Sequence, residues 1–118
     1  MDAKESIMAL AQSEKLKTGI IWLSQLLQVH EGLSDAEARG AEKLITALSG
    51  MVMNEVRLAD RVAGRGPWRE IEGILEQGMV MIRSGVPAEA LFHLTQALSH
   101  VTNTADRAMK DLAEGGLL

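Results

Sequence analysis

The stretch from residue 87 to 112, PAEALFHLTQALSHVTNTADRAMKDL, decides the fold. Leu91, Leu94, Leu98, Val101, Ala105, Ala108 and Leu112 recur at alternating steps of three and four. That spacing places them along one face of a straight α-helix, which needs a partner to cover it. Pro87 opens the run, where its missing N–H costs nothing.

The rest of the chain shows the same period. Leu16, Ile20, Leu23, Leu27 and His30 form one stripe, and Leu44, Leu48, Val52, Val56 and Ala59 a second. Ile71, Leu75, Gly78 and Ile82 form a third. Breakers separate the stripes: Glu31–Asp35, then Gly64-Arg65-Gly66-Pro67, then Ser84-Gly85-Val86-Pro87. Ser34 with Glu37 three residues on is a capping-box pattern. Helices are expected over about 3–30, 35–63, 67–84 and 87–114, with no strand, because alternation never lasts. Short connections between long helices favour antiparallel neighbours. The expectation is therefore one all-α domain over 1–118: a four-helix up-down bundle, helix three the shortest, with a second copy in a homodimer as the expected partner.

Composition fits this reading and narrows the function. The chain has 118 residues, 47% of them hydrophobic and 24% charged, values ordinary for a packed domain. Its net charge of -4 and 3% aromatic content weigh against nucleic acid, which calls for a basic surface and stacking platforms. There is no cysteine, hence no disulfide and no thiolate chemistry. The N-terminus carries mixed charge with no long apolar run behind it, so the expected location is the cytoplasm, with no membrane partner.

Gly-Met-Val-Met occurs twice, at Gly50–Met53 and Gly78–Met81. The midpoint falls at the Gly64–Pro67 turn, so folding helices two and three about that turn sets the copies side by side. Methionine fills irregular gaps in a core and also lines adaptable docking surfaces. Residues two apart on a helix point about 200° from each other, so one Met-x-Met does not chelate a metal from a single face. With Val52 on the core stripe, Met53 is expected to point off it, and Val80 off the stripe of helix three. Ile20–Leu23 and Met79–Ile82 are apolar all round, more than a small bundle buries. Ile21, Trp22, Leu26, Met53, Met79 and Val80 are the expected partner-binding residues.

Helix lengths give a second expectation. A short helix three leaves part of helix two bare. Leu23, Leu26, Leu27, Val29, Leu33, Leu44 and Ile45 would protrude at one end, Met109 and Leu112 at the other.

Candidate chemistry is sparse, and no catalytic residue, metal or cofactor is expected. His93 and His100 lie about 10 Å apart along one helix face, too far to share a metal. Glu89 and His93 are four apart, but the Glu-x-x-His pairs of di-iron bundles are missing. His93-Leu94-Thr95-Gln96-Ala97 resembles, over five residues, the exposed histidine of histidine phosphotransfer domains, with Gln96 where their lysine is expected. That resemblance implies phosphotransfer through His93 as the alternative function. Arg57, Arg61, Arg65 and Arg69 recur every four residues, but Glu55, Asp60 and Glu70 offset them, as on a solvated face. Asp-Arg after alanine occurs at both Ala59–Arg61 and Ala105–Arg107, a weak sign of a duplicated hairpin. The expected function is a non-enzymatic interaction module that takes an amphipathic helix, or a second copy, onto an apolar surface. Export chaperones and adaptors include bundles of this size, a comparison of architecture only.

Overall fold

The computed structural model describes residues 2–64 and 66–118. Four helices account for the fold: α1 (Ala3–His30), α2 (Asp35–Val62), α3 (Trp68–Arg83) and α4 (Pro87–Glu114). Among the described residues there is no strand.

Each helix end has a local cause. The Asp2 carboxylate accepts the Glu5 amide at 2.8 Å and starts α1. Ser34 and Glu37 form the capping box that starts α2. Pro87 occupies the first turn of α4 as expected, whereas Pro67 sits one residue earlier than expected, at the N-cap of α3. Gly85 and Gly116 have φ of 81° and 76°, a left-handed conformation that glycine adopts without strain. At the first, Val86 N–H reaches back to Met81 O at 3.0 Å; at the second, Leu117 N–H reaches Leu112 O at 2.8 Å. Both are Schellman closures, and they stop α3 and α4.

The helices form a square. α1 packs on α2 and α4, and α3 packs on α2 and α4, while no diagonal pair comes within 8 Å between Cα atoms. The body measures 54 × 21 × 18 Å. Leu16, Ile20, Leu23, Leu27 and His30 are all buried, as are Ile71, Leu75, Gly78 and Ile82. Small residues are buried along both of the helices that meet at the α1–α4 contact: Ser6, Ala9 and Ser13 in α1, and Ala90, Ala97, Thr104 and Ala108 in α4. Trp68 closes one end of the bundle, fully buried, its indole N–H donating to Ala63 O.

Three expectations need correction. Leu44 is 74% exposed, and Ile45 takes its place in the core at 3%. The stripe of α2 runs through Ile45, Ser49, Val52, Val56 and Ala59. Ser49 is hidden from a hydrophobic pattern because it is polar, yet its hydroxyl is satisfied by Ile45 O at 2.8 Å. Met53 is 3% exposed, not off the core, because a helix at the corner of a square must cover two neighbours and so buries a broad arc. The bare ends are also smaller than expected. Leu23, Leu27 and Ile45 are buried, since α4 reaches along α1 and sets Ala90 and Leu94 beside Leu23. Leu112 is 4% exposed and shares a pocket with Ile7, Leu10 and Ala11 of α1, whereas Met109 stays open at 47%.

Candidate functional site: an apolar groove between α1 and α2

α1 and α2 run antiparallel in a register fixed by three contacts. Gln12 and Lys15 of α1 meet Glu55 of α2, the Lys15 ammonium at 3.1 Å and the Gln12 amide at 3.2 Å. These two contacts hold the Glu55 carboxyl below its ordinary value, the lysine hydrogen bond most. Near the other end His30 Nε2 lies 3.1 Å from Glu42 Oε1. In between, Gly19 sits so close to Val52 that an added Cβ would lie 3.2 Å from a Val52 methyl.

Between these anchors the helices carry two matching triples. Trp22, Leu26 and Val29 of α1, and Leu44, Leu48 and Met51 of α2, each recur at i, i+4 and i+7. Such residues share one helix face. Trp22, Leu48 and Met51 line one groove together with Leu16, Thr18, Gly19 and Val52, and the Lys15–Glu55 pair closes it. Its volume is about 420 Å³. Trp22 is 59% exposed and Met51 62%.

The six expected partner-binding residues are not brought to one place. Trp22 and Leu26 lie on this face. Ile21 is 38% exposed, but the next residue on a helix points about 100° away, so it belongs to another flank of α1. Met53 is core. Met79 is half-buried and Val80 exposed, and with Gly50, Met51 and Met53 they line a second groove of about 570 Å³ between α2 and α3. The two Gly-Met-Val-Met copies therefore lie at one level, as the turn predicted. Met51 lines both grooves. Leu48 and Met51 are the residues of the main groove that stripe reasoning missed, and Leu44, 74% exposed, continues their face beyond it. Their signal was a run without charge: none occurs from Leu44 to Asn54, nor from Thr18 to Val29.

The histidines lie apart. His93 is half-buried, less open than the exposed histidine it resembles, and its Nδ1 is enclosed without a hydrogen-bond partner. His100 Nε2 faces Glu70 at 3.6 Å. Among the described residues no three His, Asp or Glu converge as a metal site. Arg57 pairs with Glu72 at 3.0 Å and Arg69 with Asp60 at 3.6 Å, while Arg65 of the same series lies outside the described residues. Among the described residues no helix is long and apolar enough to cross a membrane.

Compared with protein-family models, curated proteins and solved structures, the chain matches none.

Proposed function

We propose that this bundle is a protein-protein interaction module that works by docking the apolar face of a helix onto the α1–α2 groove, in the manner of an adaptor or export chaperone. The observation that carries the reading is the pair of triples flanking that groove. Trp22 and Met51, with Leu26, Val29 and Leu44 beyond them, stay in water on a chain that buries other residues of the same type fully. Large apolar side chains grouped along two adjacent helices mark a surface that is covered in use. An incoming helix with residues at i, i+4 and i+7 supplies the complementary ridge. Met51 and Gly19 give the groove adaptable walls.

The test uses Trp22 as reporter in a Trp68→Phe background. A synthetic amphipathic Leu/Ala/Gln helix is titrated in, and acrylamide quenching of Trp22 is followed. Saturable protection with a blue shift is expected. The titration is run at a protein concentration where Trp22 is open to acrylamide before peptide is added; unchanged quenching at saturating peptide would then refute the reading.

A further inference from the structure

The uncharged runs extend to all four helices. No charged residue occurs from Gln77 to Ile82 in α3, and from Ala90 to Ala105 in α4 only His93 and His100 titrate. Leu23, Ser49, Gly78, Ile82, Ala90 and Leu94, one or two from each run, surround a single interior point. The four runs therefore lie at one level and form an uncharged girdle, about 18 Å tall where it crosses α1. Ile21, Trp22, Leu26, Val29, Leu44, Met51, Val80 and Phe92, most of the exposed large apolar side chains, sit within it.

From this we infer that a second copy of this chain covers the α1–α2 part of the girdle, in an isologous dimer with the two Trp22 side chains near its axis. The inference rests on the docking reading above and names the occupant. Two observations select it.

The first is charge. Each copy carries -4, so two copies repel unless they meet where neither presents charge. The girdle is such a place, and the Lys15–Glu55 pair at its edge is neutral within one chain. A foreign partner of an acidic protein would be steered by basic residues, for which this face offers no acidic counterpart.

The second is area. Val29 is 61% exposed, Leu26 40% and Leu44 74%, alongside Trp22 and Met51. With roughly 150–250 Å² for a large side chain, the apolar area is on the order of 600 Å². A standard interface takes about 800 Å² per partner, a little over half of it apolar. The face meets that need without help from the rest of the surface. Two triples per copy also give four helices at the contact, the packing that a/d-type seams form.

Sedimentation equilibrium of the full chain over a concentration series tests this, at low and at high salt. A dimer that does not weaken as salt rises is expected, because no ion pair holds it and screening eases the repulsion between two acidic copies. Leu44→Asp and Met51→Asp should each weaken it a hundredfold or more, with helical circular dichroism unchanged, and Val80→Asp should leave it intact. A monomer at every concentration, with Trp22 still protected by the synthetic helix, would overturn the second copy alone and leave the docking reading standing. A dimer indifferent to Leu44→Asp and Met51→Asp would also overturn it.

Discussion

Trp22 of α1 and Met51 of α2 face one another across a single groove, each more than half in water although the helices bearing them are firmly packed. The side chains beneath them, Leu16 and Val52, are buried at 1% and 6%. The groove thus has a rigid floor and open walls. Leu44→Asp or Met51→Asp should weaken binding of the synthetic amphipathic helix by about 2 kcal/mol or more, a loss typical of interface hot spots. Val80→Asp, in the neighbouring groove, should change it little. Fluorescence titration of the three variants makes the comparison.

The exchange of Leu44 for Ile45 in the core is directly testable. Ile45→Ala should destabilise the fold by about 2–5 kcal/mol, the range for emptying a buried aliphatic site. Leu44→Ala, measured at concentrations where the chain is monomeric, should fall within about 0.5 kcal/mol of wild type, as an exposed substitution does. Urea unfolding of both variants decides between the two stripes.

Gly66 lies against the ring of Trp68. A Cβ at residue 66 would come within 2.5 Å of the indole Nε1 and Cε2. Because Trp68 is fully buried and bonded to Ala63 O, the ring has no room to give way. Gly66→Ala should cost about 1–3 kcal/mol through overpacking. Trp68→Ala should cost about 3–5 kcal/mol. Thermal unfolding followed at the α-helical circular dichroism band reads both.

His30 and Glu42 tie the end of the first hairpin. His30 is 8% exposed and its Nδ1 already lacks a partner. Glu42→Ala would leave Nε2 unpaired too, at a cost of about 1–3 kcal/mol. Hydrogen exchange should show the loss as faster exchange in the last turn of α1 and the first turns of α2, with α3 unaffected.

Glu55 links stability to acid. Its carboxyl is held below the ordinary value of 4.5 by Lys15 first and Gln12 second. A lowered folded-state value means the unfolded chain binds the proton more readily. The contribution is therefore present in full above the unfolded value, and it is lost as pH falls through the lowered folded one. Glu37, lowered in the same direction by Ser34, adds to the same limb. Glu55→Gln should flatten the fall in stability below about pH 4.5, measured by urea unfolding across that range. Stability near neutral pH should drop only slightly, since Lys15 is largely exposed.

Much of this was legible in the residues. Every residue named in the stripes of α1 and α3 is buried, although α3 also buries Ile74 beside Leu75, which the stripe did not include. In α2 the pattern was degenerate. Counting back from Val52 in steps of three and four reaches either Leu48 and Leu44 or Ser49 and Ile45, and hydrophobicity alone prefers the pair with two leucines. The structure prefers the pair whose serine returns its hydroxyl to the helix backbone. That one-residue shift had a functional consequence. It put Leu48 in the core stripe and left Met51 unread, whereas Met53 was misplaced for a separate reason, the broad arc that α2 buries beside Val52. Trp22 was found because Ile20–Leu23 is apolar all round, and Leu26 because the end of the first hairpin was expected to protrude. Ile21 was grouped with them because a run of letters does not say which flank each side chain takes. The uncharged girdle was present in the sequence as four separate gaps, and only the register of the helices brings those gaps to one level.

The most direct measurement is a two-dimensional NMR map of the labelled protein as the synthetic amphipathic helix is added. The account predicts shifts centred on the Trp22 indole N–H and on the methyl groups of Leu26, Leu44, Leu48 and Met51, with Trp68 and the α4 methyls still. Shifts confined to other surfaces, such as the pocket of Ile7 and Leu117, or no shifts at all, would contradict it.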